Sequence, residues 1–406
     1  MALNPEEMQK RRKLMAQKRQ KKNAALKKYL LKLSAAFGIF LAVVLTIVII
    51  ASMPKKEDPK NPKKDKTTVI RLAAAGDLNI SDAIVAAGGE GMDYSNLFVD
   101  VAHLLSDADI SMVNFEGVVC GEPYGDSKSA PLALVNALAE TGVDLVQLAN
   151  SHSVYRGVSG LATTIDNIRA AGMEPVGVFK NQEAYEQSGG FTLCKVKGVK
   201  IAVVSFTKGM DGMALPEGRE HCVNLLYKDY SSTYEKVNKE GIEEVLSNVE
   251  KEEPDLVIAM LHWGSEYNDT LSDSQQEILS LMQKNGVDVI LGTHSHYVQK
   301  IVHKKGKFVA YSLGDFVSGN QRAGSEYSVI LNLEITKNHT TGKTTVTNYT
   351  YTPIYTVAEE GKYVRVMRIA ETMKAYEGGY INKVEEATYN GMKYALTRIE
   401  SRLKGE

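Results

Sequence analysis

From Val69 onward the chain repeats one pattern: a short apolar run that ends in Gly, Asp, Asn or His, followed by helical spacing. Strands are expected over 68–75, 109–114, 143–149, 200–206, 255–261, 288–292 and 308–313. Helices are expected over 132–141, 160–171, 234–251 and 272–286. Almost continuously apolar strands such as LVIAML and VDVILG read as buried on both faces. Their alternation with helices favours an α/β fold. Beyond residue 325 the strands become Thr- and Tyr-rich (VILNLEI, TTVTNYTYTPIYTV), and an amphipathic helix is expected over 382–403.

The residues with chemistry gather where those strands end. Gly76-Asp77-Leu78-Asn79 follows the first, Asn114-Phe115-Glu116-Gly117 the second and Asn150-Ser151-His152 the third. His262-Trp263-Gly264-Ser265-Glu266-Tyr267, Thr293-His294-Ser295-His296 and Gly314-Asp315-Phe316 follow later ones. In open α/β sheets the C-terminal strand ends share one crevice, where ligands bind. Carboxylates and imidazoles delivered there suit zinc, iron or manganese. Bland readings stand beside this one. A lone histidine is more often structural, Asp315 reads equally well as a cap on the following turn, and Trp263 reads as packing.

A second feature divides the chain. Residues 33–53, LSAAFGIFLAVVLTIVIIASM, are 21 residues without an ionisable side chain. As a helix they would span about 30 Å, a bilayer's hydrocarbon core. Residues 1–32 hold eleven Lys or Arg against Glu6 and Glu7. This basic flank implies a cytoplasmic N-terminus, an uncleaved anchor and a main domain outside the membrane. The expected order is a tail (1–32), an anchor (33–53), a Pro/Lys linker (54–66), a main domain (67–325) and C-terminal strands and helix that complete it (326–406). Residues 1–66 carry 17 Lys/Arg and 5 Asp/Glu, a net of +12, which leaves −13 on the remainder. The basic head suits anionic membrane lipid. An acidic ectodomain argues against nucleic acid as a partner. Three cysteines, Cys120, Cys194 and Cys222, without C-x-x-C spacing give no disulfide framework and no Cys-zinc site.

The motifs GDLNI, NFEG, LANSH, HWGSEY, GTHSHYVQ and YSLGDF, in that order over roughly residues 68–320, resemble the CapA/PgsA-type capsule (poly-γ-glutamate) biosynthesis proteins. That family is similar to the calcineurin-like metallophosphoesterases. The resemblance implies a four-layer sandwich of two mixed sheets between helices, preceded by one transmembrane helix. It implies one or two divalent metal ions, Mn, Fe or Zn, held among Asp77, Asn79, Glu116, Asn150, His262, His294 and His296. His152 would assist the leaving group, and Glu266 belongs to the family's HWG-x-E-Y motif. Departures are Asn79 in place of a histidine, Ser151 in place of the usual ligand Asn, Tyr155 in place of an Asp, and Asp315 in place of an Asn. The implied function is a membrane-anchored protein of capsule or poly-γ-glutamate synthesis or export with a metal-dependent, phosphoesterase-like hydrolase site. Its expected partners are membrane lipid, other membrane subunits of a polymer synthase or exporter, and an anionic polymer. A catalytically degenerate accessory subunit and an extracellular small-ligand binding module stand as alternatives.

Overall fold

Side-chain parity along the strands explains the architecture of the computed structural model, which describes residues 66–319, 322–359, 363–380 and 384–405. The strands are β1 (Thr67–Asn79), β2 (Ile110–Glu116), β3 (Leu145–Gln147), β4 (Glu174–Val176), β5 (Thr192–Val196), β6 (Val199–Thr207) and β7 (Leu256–His262). They continue with β8 (Val289–Thr293), β9 (Ile301–Lys304), β10 (Lys307–Ala310), β11 (Asp315–Val317), β12 (Tyr327–Asn338), β13 (Thr344–Glu359) and β14 (Tyr363–Arg368). An eight-stranded sheet runs β14-β13-β12-β1-β2-β3-β4, with β11 also paired to β1, and a six-stranded sheet runs β5-β6-β7-β8-β10-β9.

On β1, Ile70, Leu72 and Ala74 point into the layer between the sheets, while Ala73 and Ala75 point away. On β7, Leu256, Ile258 and Met260 enter the same layer, and Val257, Ala259 and Leu261 face the other way. The period-2 geometry of a strand therefore assigns alternate residues of one apolar run to two different cores. This is why these runs show no polar face.

The outer faces are covered by helices. Over the first sheet lie α1 (Asp82–Ala86), α2 (Ser95–Phe98), α3 (Ala102–Ser106), α4 (Leu132–Glu140) and α5 (Gly157–Ala170), which contribute Ile84, Phe98, Leu105, Leu134 and Ile165 to one core. After α6 (Gln182–Ser188), α7 (Lys239–Lys251) and α8 (Asp273–Lys284) cover the second sheet with Ile242, Leu246, Ile278 and Met282. Gly at C′ ends α6 in the left-handed conformation (Gly189, φ 65°), and a Ser272/Gln275 capping box starts α8. Helices α9 (Ile369–Glu377) and α10 (Glu386–Lys404) add Ile369, Met392 and Ile399 to the inter-sheet core, beside β12 and β13. The result is a mixed α/β fold of two packed sheets with helices outside them.

The expected strands are found within a few residues. β1 runs further than expected, through Asp77 to Asn79, and the short β4, β5, β9 and β11 were not anticipated. The expected 234–251 helix starts only at Lys239, where Asn238 caps it by accepting from Gly241 N. β12 pairs antiparallel with β1 from Thr67↔Asn338 to Ala74↔Leu331, so the Thr-rich C-terminal strands are part of the first sheet. The basic tail, the apolar 33–53 run and residues 54–65 of the linker lie outside the described residues. Among the described residues no helix is long and apolar enough to cross a membrane.

One contact ties strand end to site. Asp77 N donates to Gly314 O at 2.9 Å, and a Cβ on Gly76 would lie 1.7 Å from that oxygen. Gly76→Ala must therefore push β1 away from the 312–314 segment. We expect a loss of about 3 kcal/mol or more, at or above the usual range for overpacking, because backbone rather than a flexible side chain has to move. Chemical denaturation measures it; a midpoint equal to that of the parent protein would contradict this close approach.

Candidate metal centre

Strand register brings the residues of this site together. In the first sheet Asp77 aligns with Asn114 and Asn79 with Glu116 across β1 and β2, and Asp77 aligns with Asp315 across β1 and β11. In the second sheet His262 aligns with Thr293 across β7 and β8. The C-terminal ends of both sheets converge, and their side chains form two groups. Donor atoms of Glu116, His262 and His294 lie within 4.8 Å of one another, as do those of Asp77, His296 and Asp315. All six residues are buried.

The first group is close-knit. Glu116 Oε1 is 3.5 Å from His262 Nε2, and His294 Nδ1 is 3.1 Å from the same nitrogen. Ser151 Oγ stands 3.1 Å from His262 Nε2 and 3.5 Å from His294 Nδ1. A polar relay reaches the ring of His262. Gln147 Nε2 donates to Met260 O, Thr293 Oγ1 donates to Gln147 Oε1 at 3.2 Å, and His262 Nδ1 stands 3.0 Å from Thr293 Oγ1 and 3.4 Å from Asn114 Nδ2. With the proton placed on Nδ1, toward Thr293, the lone pair of Nε2 faces Glu116 and His294, as a ligand histidine requires.

In the second group His296 Nδ1 donates to Asp315 Oδ1 at 2.7 Å and stands 3.7 Å from Asp77 Oδ2. Asp77 also accepts from Asn114 Nδ2 at 2.6 Å and from His294 N at 3.1 Å, which links the two groups. His294 and His296 have φ of 90° and 57°, left-handed values rare for residues with a side chain. Such backbone is held at a cost of order 1–3 kcal/mol per residue, and it is a mark of functional loops.

Electrostatics make the cluster unusual. Burial raises the carboxyls of Asp77, Glu116 and Asp315 above their ordinary range, and the Glu116 charge lifts Asp77 further. Burial, then the neighbouring imidazole and ammonium charges, push His262 and His294 well below an ordinary histidine. Burial would lower His296 too, but Asp315, Glu116 and Asp77 hold it well above the usual value. Both carboxylate oxygens of Glu116 and the Oδ1 of Asn79 are buried without a hydrogen-bond partner among the described residues. Unpartnered buried oxygens beside bare imidazole nitrogens are the donor set of a divalent cation.

The other expected residues have distinct places. Asn150 braces the site: its amide donates to Asn114 Oδ1 and Phe115 O and accepts from His152 N. His152 lies beside the first group, with Nδ1 3.3 Å from Glu116 O and Nε2 3.3 Å from Asp211 Oδ2. Glu266 lies at the rim, its side chain 44 % exposed and 4.0 Å from His296 Nε2. Tyr155, in the position of the missing Asp, meets His152 through an edge-on ring contact at 5.9 Å and donates its N–H to His152 O at 3.1 Å. Two carboxylates face His152: Glu116, with Oε1 3.8 Å from Nδ1, and Asp211, from the loop after β6, a residue that sequence reading missed. Burial would raise its carboxyl, yet hydrogen bonds from His152 and Ser151 hold it below the usual range. Asn114, Gln147, Thr293 and Lys208 were also not singled out as site residues. Asp315 is a member of the second group rather than simply a turn cap. Trp263 does pack: it stacks on Tyr311 and donates to Tyr311 O.

The profile of the bacterial capsule synthesis proteins, PGA_cap, matches residues 71–320, the span that holds every residue of this cluster. The chain belongs to that family. It is 26 % identical over 296 residues to the capsule biosynthesis protein CapA of Bacillus anthracis, covering 69 % of this chain and 67 % of that protein. It is 23 % identical over 311 residues to the PGA biosynthesis protein CapA of Bacillus subtilis (strain 168), covering 74 % and 78 %. Among solved structures it is similar to the calcineurin-like phosphoesterase YfkN from Bacillus subtilis, with 14 % identity, a TM-score of 0.45 and coverage of 82 % of this chain and 99 % of that one.

Protons compete for these ligands. Metal binding needs Asp77, Glu116 and Asp315 ionised and His296 neutral, and all four hold protons to higher pH than they would in an unfolded chain. Affinity for Mn²⁺ is therefore expected to rise as pH climbs through and above neutrality, with protons released on binding. Calorimetry in buffers of different ionisation enthalpy reads the proton count. An affinity flat with pH and no proton release would contradict the assignment.

Proposed function

We propose that this protein is a membrane-anchored, metal-dependent hydrolase of the phosphoesterase kind that acts in the synthesis or export of a capsule polymer such as poly-γ-glutamate. The observation that carries the proposal is the pair of buried triads, Glu116–His262–His294 and Asp77–His296–Asp315, at the joined ends of two sheets. Family membership and the names of the CapA relatives support the pathway. The uncharged 33–53 run behind a basic head supports a single-pass anchor with the catalytic domain outside and membrane lipid as its support. Other membrane subunits of a synthase or exporter, and the anionic polymer itself, are its proposed partners.

Each triad would hold one divalent ion, Mn, Fe or Zn, with Asn79 and its unpartnered Oδ1 at the edge of the site. Bound there, the ion would supply Lewis acidity at a substrate oxygen. The chain's own residues do the rest. Asn150 and the Gln147–Thr293 relay hold ligands and His152 in register. His152 has an acceptor 3.3 Å from each ring nitrogen, Glu116 O and Asp211 Oδ2, and these contacts orient the ring for its proposed role as general acid toward a leaving group. Asp211 positions that ring.

A second reading, an accessory subunit without turnover, is favoured by one observation: Ser151 stands against both His262 and His294 where the family's pattern has an amide ligand. The two readings separate by mutation. His294→Ala should remove the ion of the Glu116–His262–His294 triad and abolish phosphodiester hydrolysis by the full-length protein. His152→Ala should keep the metal and lower kcat by about a hundredfold or more, within the range for loss of a general acid. Asp211→Asn should fall between His152→Ala and the parent. Steady-state kinetics with a chromogenic phosphodiester, alongside metal analysis, reads all three. A metal-loaded parent protein with no turnover would favour the accessory reading.

A further inference from the structure

The loop after β6 presents a cation, Lys208, to the cluster, and its ammonium makes no ion pair with either triad or with the His152–Asp211 pair among the described residues. Lys208 N donates to His262 O at 2.8 Å, so the residue is fastened to the strand end that carries a triad histidine. A Cβ on the next residue, Gly209, would lie 2.2 Å from Tyr230 O, so only a glycine lets the loop sit this close. The Lys208 ammonium lies over the ring of Tyr234, with Nζ 4.5 Å from its centroid, and Nζ donates to Gly264 O at 2.9 Å. An ammonium has three donors, and the Gly264 bond uses one. Lys208 makes no ion pair among the described residues; Asp211 and Glu266 act on it only at longer range. The cation borders an open cavity of about 310 Å³ that also reaches Ser151, His294 and the carboxylates Asp211 and Glu266. Volumes of this order take small ligands.

We propose that Lys208 is an anion-recognition residue that seats a phosphate or carboxylate oxygen of the substrate beside the Glu116–His262–His294 triad. A half-buried ammonium without an ion pair has lost hydration that a bound oxyanion restores through charge-assisted hydrogen bonds. Asp211 and Glu266 on the same cavity disfavour an anion that cannot reach Nζ, so the site selects compact oxyanions over diffuse negative charge. The inference deepens the hydrolase reading and takes from it the ion in the neighbouring triad.

The test is isothermal titration of the full-length protein with inorganic phosphate and, separately, with acetate. Each titration is run with Mn²⁺ and again after chelation, on the parent, Lys208→Met and Lys208→Arg. Lys208→Met keeps an apolar stem on Tyr234, and Lys208→Gln replaces it if thermal melting shows it unfolded. The expected result is Mn²⁺ binding retained or strengthened in Lys208→Met, since a neighbouring positive charge is removed, with a loss of about tenfold or more in affinity for at least one anion, the scale of a charge-assisted hydrogen bond. Lys208→Arg should stay within about threefold of the parent, since the charge is kept. The anion that weakens tells phosphate from carboxylate as the recognised group. Parent-like affinity for both anions in Lys208→Met and Lys208→Gln, or no binding of either anion by the parent, would overturn the proposal. Absence of Mn²⁺ binding by the parent would sink the hydrolase reading alone, because the chelated protein still compares Lys208 with its variants.

Discussion

Negative charge buried without a full complement of positive charge is the constraint around which this domain is organised. Asp77, Glu116 and Asp315 are all within the protein; His296 beside them is held toward its charged form, while His262 and His294 are pushed toward their neutral forms. Leaving a carboxylate in a low-dielectric interior without partners costs several kcal/mol, so such groups stay protonated or take up a cation. Glu116 shows the problem most sharply, since neither of its carboxylate oxygens has a hydrogen-bond partner among the described residues. A divalent ion resolves the imbalance, which is the physical ground for reading the cluster as a metal centre.

The two-sheet packing creates the conditions for this. Because alternate residues of β1, β2, β6, β7 and β8 fill different cores, each of these strands is locked on both faces, and its C-terminal end is fixed in position. Gln147 then joins the sheets through polar atoms. It sits on β3 of the first sheet, donates to Met260 O of β7 and accepts from Thr293 of β8. A buried amide with its bonds made to the opposite sheet fixes the relative register of the two sheet ends, and through Thr293 it fixes the ring of His262. Scaffold and ligand geometry are thus one network.

Much of this was legible in the chain. Apolar runs that end in Asp, Asn or His marked the strands and the site, because C-terminal strand ends are where an α/β fold exposes functional groups. The division into two sheets was not readable from the runs themselves: strands buried on both faces have no polar period to show which layer each residue enters. It came only from the resemblance of the motifs. Asp315 was ambiguous because β11 is only three residues long and a Gly-Asp pair suits a turn equally well. Asp211 and Lys208 went unseen for a different reason. They lie in a loop whose sequence, TKGMDG, reads as a plain turn, and it is held at the triad by the Lys208 N–His262 O bond and the close approach of Gly209 to Tyr230, neither of which a spacing rule discloses. Asn150, expected as a ligand from its place before His152, has its amide engaged with Asn114, Phe115 and His152, a set of contacts no spacing rule discloses.

The most direct test is elemental analysis of the purified full-length protein by plasma mass spectrometry, paired with its melting temperature before and after chelation. A metal centre of this kind predicts one to two equivalents of a divalent transition metal per chain. It also predicts a fall in melting temperature on chelation, reversed when the ion is restored, since a ligand that binds only the folded state stabilises it. A folded protein that carries no such metal, takes none up, and melts at the same temperature with and without chelator would contradict the account.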